Sequence, residues 1–97
     1  MLTKFNLPKS SVPYVFGSFL SSSSPRDIDI LIVYDPAICN PAQAYDLHLE
    51  FADNLERAVG LPVHLTLLAM EEERGCGFIA DARAVPLETV DRIRLIR

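Results

Sequence analysis

The sequence predicts a small α/β (α+β) domain, with a mixed sheet of about three to five strands and helices packed against it. Two observations indicate this fold. Three segments are rich in β-branched and aromatic residues, as strands are, and a long amphipathic segment precedes the last of them. The predicted order of elements is strand, strand, helix, strand, helix, followed by a short strand or coil.

Length and composition limit the possible functions. The chain has 97 residues, which suits one domain covering residues 1–97, and 49% of them are hydrophobic, so it can bury a real core. The net charge is −4. That balance argues against a broad nucleic-acid-binding surface, which needs clustered Lys and Arg, but it leaves open the binding of a nucleotide through a metal ion.

Cysteine usage and hydropathy favour a cytoplasmic protein without membrane contact. Cys39 and Cys76 show no metal-ligand spacing, so two free thiols in a reducing compartment are expected. No segment approaches the roughly 20 apolar residues of a membrane helix. The first residues also lack the apolar stretch of a signal peptide.

The first two strands flank a loop that is rich in serine. Val12–Phe16 is a predicted strand that Gly17 breaks, and Ser21 to Ser24 belong to the loop. Ile28–Tyr34 is apolar at nearly every position, which predicts a central strand covered on both faces. Asp35 and Pro36 end that strand.

The predicted long helix has clear start and stop signals. Asn40 suits the N-cap, Pro41 suits the first helical position, and Gly60 suits the C-terminal cap. Between them a single apolar stripe recurs at three- and four-residue steps: Ala44, Leu47, His48, Phe51, Leu55 and Val59. We expect His48 to be a core or boundary residue.

The remaining elements are shorter. Val63–Ala69 is a third predicted strand, and Glu71, Glu72 and Glu73 resemble the acidic first turn of a helix that runs through Phe78 to about residue 82. Residues 85–87 form a short edge strand or an extended segment, because a proline cannot donate to a central ladder. Residues 89–97 form a last helical turn or a strand.

Two aspartates, Asp27 and Asp29, stand at the start of the central strand. Residues i and i+2 of a strand point to the same face, about 7 Å apart, so these carboxylates project together. Mg²⁺ uses one or two carboxylates together with waters and substrate phosphates, and the pair can be half of such a site. Alternatively, both aspartates cap an exposed strand end and pair with Arg26 or a lysine.

Gly17 and Ser18 lie directly upstream of this pair. A glycine lets backbone N–H groups approach an anion closely, and a serine hydroxyl adds a donor. Taken alone, Gly-Ser predicts an ordinary tight turn. A Gly-Ser turn followed by a small-residue loop and a strand bearing Asp-X-Asp favours a phosphate site beside a metal site.

These residues resemble the minimal nucleotidyltransferase family of the polymerase-beta-like nucleotidyltransferase superfamily. The matching pattern is Phe16-Gly17-Ser18, a spacer shorter than the family's usual one, and Asp27-Ile28-Asp29-Ile30. The resemblance extends over nearly the whole chain, through the helix, the third strand and the residues 84–87.

The resemblance implies a function and its cofactors. Family members transfer a nucleoside monophosphate from a nucleoside triphosphate to a hydroxyl group, with AMP from ATP as the first candidate here. Asp27 and Asp29 would hold Mg²⁺ (or Mn²⁺), and Gly17 and Ser18 would hold the triphosphate. It also implies a protein partner, a helical protein such as the other half of a toxin–antitoxin pair. Independently of the resemblance, exposed strand edges and an uncovered sheet face would favour pairing with a second copy of the chain.

His64 departs from the family pattern, because a third carboxylate is expected at its position. A neutral imidazole can accept the proton of the attacking hydroxyl, but it suits Mn²⁺ or Zn²⁺ better than Mg²⁺. Three possibilities stay open. His64 acts as the base, a nearby carboxylate such as Glu71 replaces the missing one, or the protein is a catalytically inactive module with an antitoxin-like or regulatory role that binds a partner.

Overall fold

The computed structural model describes residues 11–90, which contain a four-stranded mixed sheet. The strand order is β3-β2-β1-β4, with β1 antiparallel to both β2 and β4, and β2 parallel to β3. The strands are β1 at Val12–Phe16, β2 at Ile28–Tyr34, β3 at Val63–Ala69 and β4 at Val85–Pro86.

Four helices and one short 3₁₀ helix connect and cover these strands. They are α1 at Ser18–Ser21, α2 at Pro41–Val59, α3 at Met70–Cys76, α4 at Phe78–Ala82 and the 3₁₀ helix at Leu87–Thr89. None of the helices in residues 11–90 is long and apolar enough to cross a membrane.

The predicted α/β (α+β) fold class is confirmed, as are the three main strands, the long helix and the short edge strand. Two details differ. Part of the expected serine loop is the helix α1, whose Phe19 is buried. The single helix expected to follow β3 is two helices, because Gly77 adopts a left-handed conformation (φ 64°) between them. The predictions for residues 91–97 lie outside the described residues.

The signals at the ends of α2 act as expected. The Asn40 side chain accepts a hydrogen bond from the Gln43 backbone N–H at 2.9 Å, and Gln43 accepts one from the Asn40 backbone N–H in return. Pro41 is the first helical residue, and Gly60 ends the helix in a left-handed conformation. These reciprocal bonds satisfy donors that would otherwise be free at the start of the helix.

The main core lies between α2 and one face of the sheet. Ile28, Ile30 and Ile32 of β2 project from this face against Phe51 and Leu55 of α2. The predicted apolar stripe is wrong at one position, because the Leu47 side chain is 43% exposed. Ala52 is buried instead, because the helix rolls toward the edge strand β3.

His48 is buried in this core, as expected, and it ties α2 to the start of β1. Its Nε2 atom lies 3.0 Å from Ser11 Oγ, while Nδ1 makes no well-formed hydrogen bond within the described residues. Burial lowers the pKa of His48 from its usual 6.5, although the Ala44 backbone carbonyl partly opposes that effect. The folded protein therefore favours the neutral imidazole.

We predict that the protein loses stability in mild acid through His48. A histidine whose pKa is lower in the folded state binds fewer protons there than in the unfolded chain. Its contribution is therefore complete above pH 6.5 and decreases as the pH falls below that value, by at most about 1.4 kcal/mol per pH unit.

Urea unfolding at pH 7.5 and pH 5.0 tests this prediction, with His48→Gln as the comparison. The variant should lose less free energy of unfolding between the two pH values than the native chain does. An equal loss in both proteins would contradict it.

Candidate functional site

Strand register brings the predicted site residues to one end of the sheet. Asp29 is the second residue of β2, and it is paired with Phe16 of β1 on one side and with His64 of β3 on the other. Asp27 directly precedes β2. Because side chains alternate along a strand, these polar groups project from the sheet face opposite the α2 core.

The two aspartates converge on the histidine. His64 Nδ1 lies 3.6 Å from Asp27 Oδ2 and 3.5 Å from Asp29 Oδ1. The predicted common direction of the two carboxylates is therefore observed. Both distances exceed that of a strong N–H···O bond, so one ring nitrogen lies between two carboxylates without binding closely to either. We call this the Asp27–Asp29–His64 cluster.

The cluster is open to solvent on the histidine side. The His64 side chain is 63% exposed, whereas those of Asp27 and Asp29 are 33% and 29% exposed. A molecule approaching from solvent therefore meets the imidazole first. The carboxylates lie deeper, where electrostatic interactions are less screened by water.

Gly17 lies against the carboxylate of Asp29. Its backbone has φ 79° and ψ −158°, a conformation that is essentially restricted to glycine. A Cβ atom at this position would collide with Asp29 Oδ2. The sequence pattern Gly-Ser followed by Asp-X-Asp thus corresponds to a physical contact, since the chain passes so close to Asp29 that a Cβ atom at residue 17 requires the carboxylate to move.

Ser18 and Arg26 lie at the two ends of the loop that connects Gly17 to Asp27. Ser18 is the first residue of α1, and both side chains are exposed. Ser22 and Ser24 bind each other, with the Ser24 backbone N–H donating to Ser22 Oγ. The loop thus presents hydroxyl groups and one guanidinium near the cluster.

The glutamates after β3 have other partners. Glu72 accepts a hydrogen bond from the Ala69 backbone N–H at 2.8 Å, and Glu73 accepts one from Ile79 at 2.9 Å. Glu71 is exposed, and within residues 11–90 it makes no ion pair with the cluster. A role for Glu71 in place of the missing carboxylate stays a prediction.

One neighbour of the cluster was not expected from the sequence. The rings of Phe16 and Phe78 pack edge to face with centroids 5.0 Å apart, which joins α4 to the strand end beside Gly17. No sequence spacing indicates this contact, because it depends on the turn at Gly77 that directs α4. The contact between the two rings packs α4 against the end of β1 beside the cluster.

The donor set of the cluster fits a metal ion only in part. Among residues 11–90, no group of three or more His, Cys, Asp or Glu side chains is arranged to hold an ion. Two carboxylates projecting together are nevertheless what Mg²⁺ uses when phosphates and water supply its other ligands. The exposed backbone of Gly17, which lies against Asp29, is also consistent with such an arrangement.

Comparisons with other proteins identify no relative. No protein-family model matches the chain, and comparisons with curated proteins and with solved structures gave no match. The family resemblance therefore depends on the sequence pattern alone.

We predict that Gly17→Ala destabilises the fold more than Gly60→Ala does. Both glycines have φ near 80°. Alanine is strained by about 1 kcal/mol in the left-handed conformation of Gly60 (ψ 19°), and by up to about 3 kcal/mol at Gly17, whose ψ of −158° is essentially restricted to glycine. Only the Cβ atom at position 17 also meets Asp29, since nothing lies within 4 Å of one at position 60. We expect an additional loss of about 1–2 kcal/mol for Gly17→Ala.

Urea unfolding of both variants, and of Gly17→Ala combined with Asp29→Ala, measures the contribution of this contact. The double variant should recover the part of the additional loss that the collision causes, because shortening residue 29 removes it, while the backbone strain at residue 17 remains. Equal stability of the two glycine variants would show that Gly17 and Asp29 are not in close contact.

Proposed function

We propose that this protein is a metal-dependent nucleotidyltransferase that moves a nucleoside monophosphate, AMP from ATP first among candidates, to a hydroxyl group of a protein or a small molecule. The observation that carries the proposal is the packing of the Gly17 backbone against Asp29 in the Asp27–Asp29–His64 cluster. That contact places a side-chain-free backbone segment next to paired carboxylates at an open end of the sheet.

Each residue of the site has a proposed role. Asp27 and Asp29 would hold Mg²⁺ or Mn²⁺, which supplies charge neutralisation for a bound triphosphate. The exposed backbone at Gly17 and the Ser18 hydroxyl would bind the phosphate oxygens. Arg26, exposed next to Asp27, is the cation within the loop that can add a charge-assisted hydrogen bond.

His64 is suited to accept a proton. If Nδ1 carries the ring proton toward the two carboxylates, Nε2 keeps a lone pair on a side chain that is 63% exposed. An acceptor hydroxyl would transfer its proton to Nε2 while its oxygen bonds to the α-phosphorus. The bond from that phosphorus to the leaving pyrophosphate would break in the same exchange.

One observation favours a second candidate, a catalytically inactive module that binds a partner. His64 Nδ1 lies between the two carboxylates, where a ring proton on Nδ1 would offset their repulsion. A cluster balanced in this way can be purely structural. Such a module would keep the fold and the surface of the enzyme without its reaction, in a regulatory or antitoxin-like role.

Nucleotide binding tests the proposed activity. Titration calorimetry with ATP and Mg²⁺, and again with Mn²⁺, should show binding by the native chain. Asp29→Asn should weaken that binding by at least about tenfold, or about 1.4 kcal/mol, because it removes a metal-binding charge. Asp53→Asn, an equivalent change on the exposed side of α2, should leave it unchanged.

Transfer itself is measured with ATP labelled at the α-phosphate, with the protein alone and with candidate acceptor proteins. We expect labelled product with the native chain and its loss with Asp29→Asn. Undetectable ATP binding with both metals would exclude the enzyme proposal and leave the inactive module.

The variant His64→Asp distinguishes the two candidate functions. A third carboxylate beside Asp27 and Asp29 should lower the free energy of unfolding by about 1 kcal/mol in EDTA through like-charge repulsion. If the cluster is a metal site, millimolar Mg²⁺ should restore that loss in the variant. A loss that Mg²⁺ leaves unchanged would support a structural role for His64.

A further inference from the structure

Strand β3 forms one edge of the sheet, and it lacks the features that usually stop an edge from pairing with another strand. The opposite edge, β4, has two residues and includes Pro86, which has no N–H to donate. In contrast, β3 has seven residues, with no proline, lysine, arginine or carboxylate among them. A long edge strand without such residues is ready to accept a further strand.

The backbone of β3 is open to a further strand over a short window. Because the Pro62 carbonyl accepts the first N–H of β2, the even-numbered residues of β3 bond to β2 and the odd-numbered ones direct their backbone groups outward. Glutamate side chains accept the outward N–H groups of Val63 and Ala69. Within residues 11–90 the outward N–H groups of Leu65 and Leu67 have no partner.

This window is self-complementary about Thr66. In an antiparallel pair, two residues directly opposite each other exchange two hydrogen bonds. If two copies of β3 run antiparallel with Thr66 opposite Thr66, Leu65 of each copy lies opposite Leu67 of the other. That register satisfies the open N–H groups of both copies and needs none that a glutamate holds. Centring the pair on Leu65 or Leu67 would instead require the N–H of Val63 or of Ala69.

We propose that the protein forms a two-fold symmetric dimer in which the β3 strands of two copies pair antiparallel about Thr66. The two four-stranded sheets become one continuous sheet, with β3 beside β3 at its centre. The two-fold axis is perpendicular to this sheet. Both α2 helices therefore lie on one face, and both Asp27–Asp29–His64 clusters lie on the other. Each contact occurs twice, and the assembly is closed at two copies.

An apolar groove between α2 and β3 lies beside the window, on the face that carries α2. Its volume is about 400 Å³. Tyr45 and Leu49 of α2 line it and are 56% and 39% exposed. Because α2 packs over β3, pairing of the β3 strands brings the two α2 helices side by side. The exposed side chains of each groove then meet those of the other copy.

Leu49 lies at the level of the proposed axis. Glu56 accepts a hydrogen bond from the Val63 backbone N–H, so these two residues are level with each other. The crossover helix runs opposite to β3, and Leu49 precedes Glu56 by seven residues, or about 10 Å. Thr66 follows Val63 by three residues, also about 10 Å. Only a second copy brings a matching leucine to this position, which favours self-association over a strand from another protein.

The same axis gives the acidic residues of the groove suitable neighbours. Asp53 and Glu56 lie toward the Val63 end of the groove, and Tyr45 lies toward the other end. Tyr45 and Asp53 are each four residues from Leu49, on opposite sides. The two-fold axis therefore places Tyr45 of one copy level with Asp53 of the other, where the hydroxyl can donate to the carboxylate. The carboxylates of the two copies stay on opposite sides of the axis.

The dimer also adds a neighbour to the Asp27–Asp29–His64 cluster. His64, Thr66 and Leu68 project from the same face of β3, so Leu68 of the second copy lies opposite His64. The Cα atoms of the two His64 residues are then about 14 Å apart along the strands, and both clusters open on one face. Pairing itself uses backbone groups outside the cluster, so the dimer does not depend on the proposed nucleotide transfer.

Disulfide trapping tests the register. Thr66→Cys and Leu68→Cys are prepared separately, each with Cys76→Ser, while Cys39 is buried and remains. In the proposed dimer the Cα atoms of two residues 66 are about 4.5 Å apart, within disulfide range, whereas those of two residues 68 are about 14 Å apart. After mild oxidation, the yield of covalent dimer from Thr66→Cys should be at least about fivefold higher. Equal yields would overturn the proposal.

Sedimentation equilibrium supplies an independent measurement on the full chain. Leu49→Glu should raise the dimer dissociation constant at least about tenfold, because it places two carboxylates beside the axis and removes apolar contact. Leu47→Glu is the matched control, since Leu47 is on the same helix and 43% exposed but does not line the groove. It should have little effect. A native chain that is monomeric up to about 0.5 mM, or equal effects of the two variants, would contradict the proposal.

Amide hydrogen exchange distinguishes a second copy from another segment of the same chain. The N–H groups of Leu65 and Leu67 should exchange more slowly as the protein concentration rises, because only the dimer pairs them. Protection that is equally strong at every concentration, in a monomer, would show that the chain covers its own edge and would rule the dimer out.

Discussion

Parallel pairing of β2 with β3 requires the chain to return to the same end of the sheet, and α2 makes that return. The site depends on this pairing. In an antiparallel arrangement the start of β2 would meet the end of its neighbour, and His64 would lie away from Asp29. The capping residues Asn40 and Gly60 therefore affect the site indirectly, because they fix where the crossover helix begins and ends.

Strand β2 contributes to the core on one face and to the candidate site on the other. The isoleucines of β2 project into the core under α2, and Asp29 between them projects to the opposite face. An aspartate can stand inside such an apolar strand only where its carboxylate has compensation. His64 Nδ1 and the solvent provide it, and the position at the strand end keeps Asp29 partly hydrated.

The sequence was sufficient to predict the elements whose signals are local. The bounds of α2 follow from Asn40, Pro41 and Gly60, and the strands follow from β-branched runs. The division of the last helical segment was missed because glycine inside a helical pattern is ambiguous until its φ is known, and Gly77 proved to be left-handed. The burial of Ala52 instead of Leu47 was equally inaccessible, since the roll of a helix depends on its tertiary neighbours.

The candidate site divides in the same way. The shared direction of Asp27 and Asp29 could be predicted, because strand periodicity alone requires it. The contact of His64 with both carboxylates needed the register between β2 and β3, which no local pattern contains. The packing of Gly17 against Asp29 is likewise a tertiary contact that only the folded structure reveals. It turns a common dipeptide into a constraint, because the conformation at residue 17 and the carboxylate at residue 29 each exclude a side chain on the glycine.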